Sequence, residues 1–157
     1  SKRPVAVTHA NPNAWHATPR NLHHDLLQAL AETGGMVGFS LYPHHLKSGS
    51  ECSLEEFSDM ASNMIQTYGS KTFGIGSDLC QGQPDSVVNW MRNGHWRKKP
   101  EPTVKFPKPP IWFKDNSDFL GLAKGLRRST ISDADVDLLV GKNWMSFLEK
   151  ALVPDER

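Results

Sequence analysis

At 157 residues with a formal net charge of +1, the chain is long enough to bury a core, yet it carries no field that would attract nucleic acid or an anionic membrane. Its apolar runs fall far short of the roughly 18 residues of a membrane-spanning helix, and no charged-then-apolar leader opens it, so a soluble chain is expected. Two cysteines, Cys52 and Cys80, lack CxxC spacing, which argues against a structural zinc site or a disulfide framework and for a reducing, cytoplasmic setting.

Residues 4–9 form a short apolar run ending in His9, followed by the turn-rich Asn11, Pro12 and Asn13. The pattern predicts a strand that delivers a polar group at its C-terminal end. Thr18, Pro19, Arg20 and Asn21 close that loop, and Leu22, Leu26, Leu27 and Leu30 recur at helical spacing until Gly34 and Gly35 stop the helix. Arg20 therefore stands just ahead of a helix, on the loop that His9 begins. An arginine there can hold a carboxylate by a two-point fork; a solvated surface side chain is the alternative. His16, His23 and His24 read as loop or helix-surface residues.

Residues 36–42 predict a second strand, broken by Pro43, with Tyr42, His44 and His45 placed to line a pocket mouth. The two histidines are weak evidence for metal, because adjacent side chains on an extended chain point to opposite sides. Ser53 and Glu56 have capping-box spacing: Ser53 caps a helix, and the Glu56 side chain is expected to reach back to the Ser53 N–H. Leu54, Phe57, Met60, Ala61, Met64 and Ile65 then recur at helical spacing up to Gly69.

Residues 71–78 predict the third strand. Thr72, Phe73 and Ile75 suit a sheet, Gly74 and Gly76 allow close approach, and Asp78 falls where strand gives way to loop. In an α/β barrel such strand ends converge on the active site. A carboxylate that merely starts a turn is the alternative. Cys80, two residues on, reads as an ordinary small buried thiol that could also face the same cavity.

The order β-loop-α, β-loop-α, β argues for a parallel sheet with helical crossovers. Residues 81–114 are rich in Pro and Trp and read as one long loop, of the kind that forms functional lids. Trp90, Trp96 and Trp112 need a surface to pack on, and Arg97, Lys98 and Lys99 read as a solvated cluster. Residues 117–126 and then residues 132–152 read as helical, the second interrupted at 141–144, with Phe147, Leu148 and Leu152 expected to pack inward. The tail from Pro154 is polar.

Four sets of residues in one order carry a resemblance: residues 4–10 with His9; Arg20 and Asn21 followed by Asp25; Gly74, Ile75, Gly76, Ser77 and Asp78; and Gly141, Lys142, Asn143 and Trp144. The chain resembles the C-terminal part of the membrane (renal) dipeptidase family, zinc peptidases of the amidohydrolase type. The resemblance implies an α/β fold, with residues 1–157 as the C-terminal portion, about three βα units, of a (β/α)8 TIM-type barrel. It implies that His9 is a ligand of the second of two zinc ions, that Arg20 holds the substrate's carboxylate, and that Asp78 is the active-site aspartate near the attacking water and the leaving amine. In such chemistry a metal activates water near neutral pH and polarises the peptide carbonyl, while a carboxylate moves the proton.

One departure is Cys80, where many family members have aspartate. The family's remaining zinc ligands lie on strands preceding those matched here, and three strands cannot close an eight-stranded barrel. The expected partners are thus an N-terminal complement of the same barrel and a dipeptide-like small molecule, in a homo-oligomer. A non-catalytic scaffold on the same fold and another amidohydrolase reaction are the alternative readings.

Overall fold

The computed structural model describes residues 3–94, 98, 99 and 105–152. Trp96, Arg97 and the tail from Pro154 lie outside the described residues. Three strands, β1 (Ala6–Val7), β2 (Met36–Phe39) and β3 (Phe73–Ile75), pair in parallel in the order β1-β2-β3. Val7 pairs with Val37, and Val37 in turn with Phe73, so the three strands advance in step and their C-terminal ends reach the same edge. The crossovers are α1 (His24–Glu32) and α2 (Leu54–Tyr68).

Each strand is shorter than its apolar run. Residues 70–72 form a 3₁₀ turn leading into β3, and beyond Phe39 the chain leaves β2 toward another 3₁₀ turn at Pro43–His45. Pro43 explains the latter, since a proline removes a ladder donor.

Ser53 caps α2 as expected, its Oγ accepting from the Glu56 N–H at 3.0 Å. The Glu56 side chain does not reach back; its Oε1 accepts from Ser48 Oγ at 2.9 Å instead, which ties the preceding turn to the helix. Gly69 ends α2 at φ 86°, a left-handed value that suits glycine.

The core lies between the sheet and its helices. Phe39 stacks on Phe73 with ring centroids 4.7 Å apart and meets Phe57 of α2 edge-on, all three fully buried. Trp112 joins this cluster against Phe57 and donates Nε1–H to the Cys52 carbonyl at 2.7 Å, whereas Trp90 is largely exposed.

The segment 81–114 is not one loop. It carries α3 (Asp85–Asn93), opened by Pro84 in the N-cap position. Apart from Pro84, the prolines that argue against regular structure fall in the second half of the segment, from Pro100 onward, and leave residues 85–93 free to form a helix.

After a 3₁₀ turn, α4 (Phe119–Leu126) and α5 (Asp133–Asp137) follow; a wide π turn at Leu138–Lys142 leads into α6 (Asn143–Ala151). Gly125 of α4 lies against Leu54, where a side chain would collide.

The start of α6 clasps β3. Asn143 Nδ2 donates to the Ser70 and Phe73 carbonyls, both at 2.7 Å, and Trp144 Nε1 donates to Ile75 O at 3.0 Å with its indole over Gly74. These bonds hold the strand that leads to Asp78. Leu148 and Leu152 do not pack inward: they are 44% and 73% exposed, while Phe147 is half-buried against Trp144. No helix among the described residues is long and apolar enough to cross a membrane.

At the C-terminal edge, Gly38 and Gly76 both press against the Thr8 carbonyl, leaving no room for a Cβ at either position. Gly76→Ala is therefore expected to cost about 3 kcal/mol, since the obstructing atoms are backbone and cannot rotate away. A lowered denaturant midpoint in the complete protein would check this.

Candidate functional site

Past β1 the chain continues along β2, with Ala10 N–H donating to Gly38 O at 2.9 Å, so His9 projects at the C-terminal edge of the sheet. Two buried asparagines then fix the loop ends. Asn11 donates from Nδ2 to the Ser40 and His45 carbonyls, each at 3.0 Å, and accepts the Ser40 N–H at its Oδ1. Asn21 Oδ1 accepts the Asn11 N–H at 3.0 Å, and Asn21 Nδ2 donates to His16 O and His45 O. The loop carrying Arg20 and the turn carrying His45 are thus stitched to the end of β1. Sequence reading missed this clasp, although Asn21 lies beside Arg20 in the matched motif.

The three predicted residues come together. His9 Nε2 is 3.0 Å from Arg20 Nη2 and 4.0 Å from Asp78 Oδ2. The first is a hydrogen bond; the second is an approach of half-exposed groups beyond hydrogen-bond reach. A guanidinium only donates, so His9 Nε2 carries the lone pair and the ring proton is on Nδ1, directed at Thr8 Oγ1 2.9 Å away. Asp78 has φ 52°, the one non-glycine left-handed residue among the described residues. Aspartate tolerates this conformation better than most, and here it turns the chain just as the carboxylate is presented.

His45, placed on sequence at a pocket mouth with Tyr42 and His44, belongs to the site. The 3₁₀ turn rotates successive side chains by a third of a turn rather than a half, and both His44 and His45 line the cavity. The His45 ring lies nearly parallel to His9 with centroids 6.3 Å apart, and its Nδ1 is 2.8 Å from Ser40 Oγ. Burial pulls its pKa down to about 4; the Asp78 carboxylate opposes this, while Arg20, His9 and His44 add to the lowering. His45 is therefore a neutral imidazole near neutral pH.

Around these groups is a cavity of about 660 Å³, with His9, Arg20, Tyr42, His45, Asp78 and Arg92 on its walls. That volume is within the range of small-molecule sites. Cys80 lines it too and is exposed, contrary to the expected buried thiol. Partial desolvation first, and then the Asp78 carboxylate, push its pKa up, so it is held as a thiol and not poised as a nucleophile.

Among the described residues no group of three or more His, Cys, Asp or Glu side chains forms a metal cage. As one share of a ligand set, His9 does fit. Its Nε2 lone pair accepts from Arg20, a fellow residue of the cavity wall, and its Nδ1–H is anchored by Thr8, which leaves Nε2 as the nitrogen through which the imidazole could bind a metal.

The family model for membrane dipeptidase, Peptidase family M19, matches residues 1–92. A dipeptidase from Aspergillus oryzae, aclJ, is 32% identical over 81 residues, covering 50% of this chain and 19% of that protein. Among solved structures, an amidohydrolase from Pseudomonas aeruginosa superposes with a TM-score of 0.84 at 24% identity, over 96% of this chain and 46% of that one. A metallopeptidase from Rhodobacter sphaeroides, solved with a phosphinate mimic of the dipeptide L-Ala-D-Ala, gives 0.73 at 21% identity, over 96% and 37% respectively. The chain thus spans less than half the length of these relatives.

Proposed function

Because this chain belongs to the membrane dipeptidase family, Peptidase family M19, we propose that it is the C-terminal part of a (β/α)8 barrel, about three βα units, whose complete form hydrolyses dipeptides or related small amides bearing a free carboxylate. The observation that carries this reading is the meeting of His9, Arg20 and Asp78, from three separate segments, on one cavity at the C-terminal edge of a parallel sheet. Strand ends of a barrel are where such groups gather.

In this reading His9 is a ligand to one of two zinc ions, and residues outside this chain complete the barrel and supply most of the other ligands. Bound zinc supplies the activation of water and the polarisation of the peptide carbonyl. The residues of this chain do the rest. Because His9 Nε2 has a single lone pair, Arg20 would give up its hydrogen bond to His9 where that nitrogen served as a ligand, and would be free to hold a substrate carboxylate. Its planar fork then fixes that end of the substrate with two parallel hydrogen bonds. Asp78, on the His9 side of the cavity, takes the proton from the attacking water and hands it to the leaving amine. His45, held neutral, adds no charge against a cation beside it.

The test is metal dependence in the complete protein. Chelation is expected to abolish hydrolysis of dipeptides, and added zinc to restore it. A protein that retains no metal at neutral pH and cleaves no dipeptide would instead be a scaffold on this fold.

A further inference from the structure

The cavity holds a second guanidinium. Arg92, in the last turn of α3, directs Nη2 toward Tyr42 Oη at 3.5 Å. Arg127 elsewhere is held by both Asp133 and Asp137, whereas Arg92 has no carboxylate partner among the described residues. Asp78 is the carboxylate that lines this cavity, and it lies beside His9. Two permanent cations thus face one anion. With the main-chain carboxylate of a substrate on Arg20 and Asp78 beside His9, Arg92 is left with no carboxylate of the described residues next to it.

The chemistry of the pair favours an anion there. A guanidinium has five donors, and the phenol oxygen accepts only one of them, which leaves several N–H groups and the phenol hydrogen to donate side by side. Met91 and Phe106 also line the cavity, and apolar walls strengthen an ion pair relative to water. We propose that Arg92 and Tyr42 form a second anion subsite, and that the preferred substrates carry two carboxylates: dipeptides with an acidic side chain, or small amides equivalent to them. The inference deepens the dipeptidase reading and rests on it.

An arginine that merely complemented the C-terminal dipole of α3 would affect stability and leave substrate choice alone. The experiment therefore reads selectivity. In the complete protein, kcat/KM is measured for dipeptides with Glu or Asp against the same dipeptides with Gln or Asn, and binding of the matching phosphinate mimics is measured alongside.

The unaltered protein is expected to prefer the acid by about 10- to 100-fold, the worth of a charge-assisted hydrogen bond. In Arg92→Gln the ratio falls to near one, and in Tyr42→Phe it falls several-fold. Because each ratio is taken within one variant, partial loss of folded protein cancels. Hydrolysis of neutral dipeptides with no acidic preference, or an acidic preference that survives in Arg92→Gln, overturns this proposal and leaves the dipeptidase reading standing. Failure to cleave or bind any dipeptide overturns both.

Discussion

Asp78→Asn in the complete protein is expected to lower kcat by about 10³-fold, the usual scale for loss of a positioned proton-transfer group, with little change in KM. Asparagine keeps the shape of the side chain and its hydrogen-bonding oxygen but cannot take up a proton. It is also the residue best able to replace aspartate at φ 52°, because both adopt the left-handed region readily, so the fold at this turn is preserved. The clasp of Asn143 and Trp144 on β3 is untouched by the change. The variant thus separates chemistry from folding. A kcat within a few-fold of the unaltered protein would remove Asp78 from the reaction.

Arg20→Ala should act on the other parameter. Loss of a two-point charged contact with the substrate's carboxylate is expected to raise KM by about 10- to 100-fold, with a much smaller effect on kcat. Arg20→Lys should recover only part of the loss, since an ammonium keeps the charge without the fork. A dipeptide with its C-terminal carboxylate amidated supplies the control: its poor turnover should be nearly indifferent to the substitution. If the acid and the amide lost equally, the role of Arg20 would be confined to its hydrogen bond with His9.

Much of this architecture was legible because its signals are local. Strand runs ending in His9 and Asp78, the Ser53 cap and the glycine stop at Gly69 each depend on a few neighbouring residues, and the βαβαβ order follows from them. Where composition was averaged over a long window the reading failed. Residues 85–93 contain no proline, yet the prolines from Pro100 onward, averaged over the segment, hid α3 and with it Arg92.

Periodicity also says that a helix face is apolar without saying what covers it, which is why Leu148 and Leu152 were expected inside and are exposed. At the site, the elements that sequence missed are long-range hydrogen bonds. Asn11 and Asn21 bond across 10 to 34 residues of chain and leave no repeating pattern. Tyr42, His44 and His45 line the cavity as expected, but the two histidines do not diverge to opposite sides, because Pro43 opens a 3₁₀ turn where an extended backbone was assumed.

The central claim is that His9 faces a zinc ion held jointly by this chain and by residues outside it. Anomalous diffraction from crystals of the complete protein, recorded at the zinc edge with a phosphinate dipeptide mimic bound, tests it most directly. The account predicts a peak about 2.0–2.1 Å from His9 Nε2, with Arg20 turned onto the mimic's carboxylate. A zinc-free cavity, with Arg20 still bonded to His9 beside the bound mimic, would contradict it.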